Sequence, residues 1–214
     1  MSCIECRAAV TTAVCVCLVS DSGESSILWH VDDEVAVWPS TIDAAGAIGR
    51  ADTVLVTFEM PPESIRAAIG AASDSGARVV VEPAPVLQDR DAARSLAWDR
   101  VDVVVCNEAE ARALLNGSDS GLVAECLAGE LGVPTVAVTL GASGCVVCAD
   151  GRSRRYPAPE VVPVDTTGAG DAFAATFAAH LSAGVAVDDA VHAAQSAAAV
   201  AIQRPGGHAA MPSY

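Results

Sequence analysis

The spacing richest in chemistry is Asp165-Thr166-Thr167-Gly168-Ala169-Gly170-Asp171, which leads into a largely apolar run over 172–181. Gly168 and Gly170 let the backbone turn sharply and approach a ligand closely. The free N–H groups of a first helical turn then face one concavity. With the helix dipole they bind an anion without any cationic side chain. That matters here, because all twelve basic residues are arginine. The absence of lysine removes Schiff-base chemistry, a PLP anchor and the GK[ST] phosphate loop. Amides so placed stabilise charge on a transferring phosphoryl group, and losing one such donor typically costs ~10²–10³ in rate. Asp171, at the same helix start, can accept the proton of an attacking hydroxyl. A lone G-x-G would read as a capped turn. Seven specified positions with an aspartate at each end favour the phosphoryl site.

Such a loop needs a strand to deliver it and a helix to receive it, and hydrophobic periodicity supplies both. Residues 10–19 and 26–31 alternate as two strands around Asp21-Ser22-Gly23-Glu24, which predicts a hairpin. A short helix is expected over 43–50 and a strand over 53–58. A helix over 61–72 is opened by Pro61-Pro62-Glu63 and stopped at Gly76. Then come a strand over 78–81, a helix over 87–97, a strand over 101–105, and helices over 108–115 and 121–131. Strands over 135–140 and 145–149 flank a turn at 141–144, and Asp150-Gly151-Arg152 turns again. Helices over 169–183 and 187–203 close the pattern. Short, continuously apolar strands alternating with helices predict an α/β fold, a mostly parallel sheet covered on both faces. The opening hairpin alternates in polarity, so it should stand outside that sheet.

The 214 residues suit one domain, at ~150 residues per domain. Apolar residues make up 52% and charged ones 18%, which excludes intrinsic disorder. Acidic residues outnumber basic ones 27 to 12, a net charge of −15, which argues against nucleic-acid and anionic-membrane partners. No uncharged apolar run reaches the ~18 residues of a membrane span. The apolar stretch 8–19 lacks a positive flank, because Glu5 offsets Arg7, and no A-x-A-like site closes it, so no export signal is expected. Eight cysteines include the pairs Cys3/Cys6 and Cys145/Cys148. In a strand, positions i and i+3 face opposite sides, so Cys145 and Cys148 cannot converge on a metal. Small buried thiols in a reducing cytoplasm are the expected reading.

Residues Asp165 to Asp171 resemble the C-terminal signature of the ribokinase-like (PfkB) carbohydrate kinases. Val105-Cys106-Asn107-Glu108-Ala109-Glu110 resembles the family's N-E-x-E segment. Val138-Thr139-Leu140-Gly141-Ala142-Ser143-Gly144 resembles its T-L-G-x-x-G segment, and 204–212 its closing segment. Phe58-Glu59-Met60-Pro61 and Pro83-Ala84-Pro85 place the likeness in the ribokinase branch. The resemblance implies a three-layer α/β/α sandwich and ATP-dependent phosphorylation of a sugar primary hydroxyl, D-ribose to ribose 5-phosphate. It implies Asp171 as the base, and Gly168, Ala169 and Gly170 as the anion hole. Asn107 would lie near the ATP phosphates, and Glu110 would organise magnesium through water. Thr139, Leu140, Gly141, Ala142, Ser143 and Gly144 would line the nucleotide, and Gln195 would meet the adenine. Asp165 and Thr167, with backbone near Ala201, Arg204, Gly206 and Ala210, would hold a monovalent cation, potassium. Glu59 would contact the sugar. The hairpin corresponds to the lid through which such kinases pair, so a homodimer is implied.

Family members of this branch carry first strands, a substrate aspartate and a Gly-Gly segment before the point where Thr11 aligns, and a last helix beyond Tyr214. The expectation is therefore an N-terminally truncated, single partial domain over 1–214, with a lid-type hairpin over 10–35 and an α/β core over 41–214. Position 82 is glutamate where ribokinases usually have asparagine. Taken singly, Glu59 also reads as a strand-end charge, and Asn107 or Glu108 as a helix cap. The alternative for the whole is a non-catalytic remnant that binds nucleotide or a partner chain.

Overall fold

The computed structural model describes residues 8–20, 25–31, 35, 44–87, 89–115 and 123–212. The predicted turn at 21–24, the Cys3/Cys6 pair, the helix start at 43, residue 88 of the helix expected over 87–97, and residues 121–122 of the next helix lie outside the described residues. Strands β1 (Val14–Val19) and β2 (Ser25–His30) pair antiparallel, Val14 opposite His30, as a sheet of their own. Every residue of β1 is exposed, so the hairpin stands off the body as its alternation predicted.

The main sheet runs in chain order: β3 (Thr53–Thr57), β4 (Arg78–Glu82), β5 (Val103–Asn107), β6 (Thr135–Thr139), β7 (Cys145–Ala149) and β8 (Arg152–Tyr156). β3 to β6 are parallel, and β7 and β8 return antiparallel. Parallel strands laid down in unbroken order by right-handed crossovers put every crossover helix on one face. That face carries α2 (Pro62–Ser75), α3 (Arg90–Arg94), α4 (Glu108–Leu114) and α5 (Val123–Leu131), with α1 (Ala44–Ile48) against α2. Ile65, Ile69, Ala111 and Leu127 pack there over Val79, Val81, Val104 and Val136. The opposite face is left for α6 (Ala169–Ser182) and α7 (Val187–Ala201). Phe173, Phe177 and Val191 pack there over Val80, Val103, Val105 and Ala137. Successive valines of β4 thus enter opposite cores, as the period of two requires. Cys145 and Cys148 also fall in opposite cores, which keeps them apart as expected.

The largest differences from the sequence reading fall at three elements, and the first is the strand expected over 10–19, which begins only at Val14. The helix expected over 87–97 is only the five residues of α3, followed by a 3-10 turn at Trp98–Arg100. Asp89 caps α3 by accepting from the Asp91 and Ala92 N–H groups, both at 3.0 Å, so the helix starts late. The Trp98 indole N–H reaches back to the Ala93 carbonyl at 2.9 Å and fixes the exit. The strand expected over 101–105 begins at Val103, because the Val101 N–H closes the 3-10 turn onto Trp98. Pairing with β6 carries the strand on to Asn107, opposite Thr139. Among the described residues no helix is long and apolar enough to cross a membrane.

Candidate active site

The parallel strands end side by side, and each delivers a polar residue there. Glu59 follows β3, Glu82 ends β4, Asn107 ends β5 and Thr139 ends β6. Register aligns Thr57 with Glu82 and Asn107 with Thr139. The carboxyl ends of parallel strands are where open α/β sheets bind ligands, because the loops there are free of strand pairing.

The loop before α6 is held by Asp165. Its carboxylate accepts the Thr167 N–H at 2.9 Å and the Gly206 N–H at 2.8 Å, tying residues 165–168 to the chain beyond α7. The Val164 and Asp165 N–H groups both donate to the Ile202 carbonyl, at 2.7 and 3.2 Å. The Gly206 and Thr167 amides hold the Asp165 carboxyl below its ordinary value. A depressed native value contributes stability that is present above the unfolded value near ~3.9 and is lost as pH falls through the native one. Asp165→Asn should therefore flatten the acid limb of a thermal-unfolding profile below about pH 4. An unchanged limb would show that Asp165 does not carry it.

Gly168 turns the chain into α6 at φ +80°, where a Cβ would stand 2.6 Å from the Met211 methyl. The Ala169 N–H leans back onto the Thr166 carbonyl at 3.2 Å, and Ala172 begins the helical ladder on Gly168 at 2.9 Å. Among the described residues the Gly168, Gly170 and Asp171 N–H groups meet no acceptor. Of the expected Gly168 to Gly170 hole only the Ala169 amide is engaged, and the Asp171 amide lies open beside it. Asp171 itself is exposed beside them.

Beside this helix start lies a cleft of about 470 Å³. That is a usual size for a small-molecule site. It gathers Thr139, Gly141, Ala142, Gly144, Ala169, Gly170 and Gln195 from the sequence reading. Leu140 and Ser143 face away and line a second cleft with Val138, Val146 and Arg154. Gln195 is buried, its amide donating to the Tyr156 carbonyl at 3.2 Å. The apolar walls, Val161, Pro163, Phe173, Ala198 and Ile202, went unnoticed in the sequence. Nothing in their types separates them from ordinary core.

Asn107 and Glu110 form a reciprocal capping box. Glu110 N–H donates to Asn107 Oδ1 at 2.9 Å, and the Asn107 N–H and amide donate to the two Glu110 oxygens at 2.8 and 2.7 Å. Asn107→Ala should cost about 1 kcal/mol of stability, measurable by urea unfolding. A loss of ATP affinity in the same variant would add a ligand role to the cap. Both Glu110 oxygens are engaged by Asn107, and a magnesium ion carried by a nucleotide would be held near this carboxylate. Its chemistry would be to neutralise phosphate charge. The Thr167 hydroxyl is buried beside the Asp165 carboxylate, an oxygen set that suits a monovalent cation. Ala201 and Ala210 are buried nearby in sequence, while Arg204 and Gly206 are exposed. Among the described residues no three His, Cys, Asp or Glu side chains are grouped to hold a metal. Glu59 is exposed at the far end of the strand row, with the Thr57 hydroxyl 3.5 Å away.

Residues 2–213 match the family model for pfkB family carbohydrate kinases. The chain is 32% identical over 170 residues to a ribokinase of Haemophilus influenzae, covering 78% of this chain and 54% of that protein. It is 34% identical over 199 residues to an ATP-dependent ribose-1-phosphate kinase of Halopiger xanaduensis, covering 93% and 64%. The chain thus spans about half to two thirds of the length of these curated relatives. The Arabidopsis thaliana ribokinase complexed with ribose and ATP superposes with a TM-score of 0.77 at 25% identity, over 94% of this chain and 66% of that one.

Proposed function

Because the chain belongs to the pfkB family of carbohydrate kinases, we propose that it transfers the terminal phosphoryl group of ATP to a primary hydroxyl of a small sugar, D-ribose giving ribose 5-phosphate. The observation that carries this reading is the pair of open amides at Gly170 and Asp171, set between a nucleoside-sized cleft and an exposed carboxylate. The nucleoside occupies the cleft against Phe173 and the 141–144 turn, and its phosphates run along Gly170 toward Asp171. Asp171 accepts the proton of the sugar hydroxyl as that oxygen bonds to phosphorus. The bond from phosphorus to the bridging oxygen breaks, and ADP leaves with that electron pair. The amides stabilise the charge on the phosphoryl oxygens during the transfer.

Gly168 and Ala169 shape the turn that aims those amides, and Glu59 positions the sugar from the other side. Magnesium with the nucleotide and potassium at the Asp165–Thr167 loop belong to the same proposal. So does a cytoplasmic setting, and so does pairing of two chains through the hairpin, where Val16, Leu18, Leu28 and Trp29 are exposed. Titration calorimetry with ATP, ribose and ribose 1-phosphate, each added separately, tests the reading alongside a coupled ADP-release assay. Heat from ATP and from ribose, with ADP release that needs both, supports it. Turnover with ribose 1-phosphate alone replaces the acceptor. ATP heat without any turnover leaves a nucleotide-binding chain and overturns the kinase.

A further inference from the structure

Glu82 is a buried carboxyl side chain beneath the helix start of this site. It ends β4, two residues beyond Val80, and therefore points to the same face as Val80, beneath α6. Its Oε1 lies 3.3 Å from where a Cβ on Gly170 would stand, so it abuts the first turn of that helix. The residue is 7% exposed, and Oε2 is fully buried with no hydrogen-bond partner. An orphaned buried carboxyl oxygen is costly to the fold, and a ligand that supplies the missing partner relieves that cost. We propose that Glu82 is a further residue of the transfer site, a neutral carboxylic acid whose O–H donates to an oxygen of the transferring phosphoryl group. The proposal rests on the kinase reading above.

The electrostatic surroundings favour the neutral form at neutral pH. The groups facing Glu82 are Asp171 on α6, Glu110 on α4, Glu59 after β3 and the Cys106 thiol on β5, none of them a cation. Burial, then the charges of Asp171, Glu110 and Glu59, push the Glu82 carboxyl up to about 8. Phosphoryl oxygens only accept hydrogen bonds. A charged carboxylate at this place would repel them, whereas the acid form is a donor. In a chain without lysine it adds a donor to the two amides.

Glu82→Gln keeps the shape and a donor but cannot ionise, and Glu82→Ala removes the donor. The expected result is that wild-type kcat falls as pH rises through about 8, while Glu82→Gln keeps kcat within ~3-fold at neutral pH and loses that alkaline fall. Glu82→Ala should lose ~10²-fold in kcat with KM for ATP nearly unchanged. Full kcat in Glu82→Ala, or a Gln variant as impaired as the Ala variant, overturns the proposal. Infrared difference spectra of wild type against Glu82→Gln give a readout independent of turnover. A protonated-carboxyl band at neutral pH that is absent in the Gln variant and shifts on adding ATP supports the assignment, and no such band overturns it. Should the wild type bind ATP and show the shifting band without turning over, the kinase reading fails while the contact from Glu82 to nucleotide stands.

Discussion

Asp171→Asn should lower kcat by ~10³-fold, within the ~10²–10⁴ that a positioned base contributes, while the Kd for ATP moves by less than ~3-fold. The two side chains have nearly the same shape, so the entry of α6 and the amides of Gly170 and Asp171 persist in the variant. The amide cannot accept the proton that the sugar hydroxyl must lose. Binding and transfer therefore separate, because the cleft between the 141–144 turn and Phe173 does not include the Asp171 side chain. Single-turnover kinetics with calorimetry on the same preparation check both halves. Turnover near the wild-type level would move the base elsewhere, and Glu59 is the exposed carboxylate on the same row of strand ends.

Gly144→Ala should lower stability by about 3 kcal/mol and weaken ATP binding together. Gly144 sits at φ +88°, a region that costs a residue with a Cβ roughly 1–2 kcal/mol. Its Cβ would also fall 1.9 Å from the Tyr156 carbonyl oxygen and 2.7 Å from the Ala158 nitrogen, both backbone atoms. Forced overpacking of that kind adds about 1–3 kcal/mol. The Leu140 N–H donates to the Gly144 carbonyl at 2.8 Å, so any displacement opens the turn that walls the cleft. For a chain of this size ~1 kcal/mol corresponds to about 2–4 °C in Tm, which puts the expected fall near ~6–12 °C by differential scanning calorimetry. Gly141→Ala is the control. Gly141 also has a positive φ, +56°, but nothing lies near its added Cβ, so its cost should be the backbone part alone. Equal effects in the two variants would show that the contact with the Tyr156 carbonyl carries no weight.

The alternation of apolar residues set the layers and the faces. Val79, Val80 and Val81 are unmistakable as a strand buried on both sides, and two helices after the last strand have only one face left to cover. The Asp165 to Asp171 loop was legible for a similar reason. Sharp turning and an anion-binding helix start restrict residue types so strongly that the composition of seven positions carries the geometry. The C-x-x-C pair at 145 and 148 could likewise be set aside from strand periodicity alone.

Tertiary structure alone decided where the polar ends of separate strands meet. Asn107 stands at the end of β5 because the pairing with β6 runs on to Asn107 opposite Thr139, a register that local periodicity does not encode. Leu140 and Ser143 left the cleft because a 3-10 turn has a period of three, which puts residues three apart on one side. Glu82 stood in the sequence as a single unusual letter. Its burial, its free oxygen and its place under Gly170 come from packing α6 across β4, a contact between residues almost ninety positions apart. Local sequence fixes φ, ψ and which side is apolar, since those depend on neighbouring residues. The shared environment of distant carboxyls depends on how elements stack, and no window of sequence contains it.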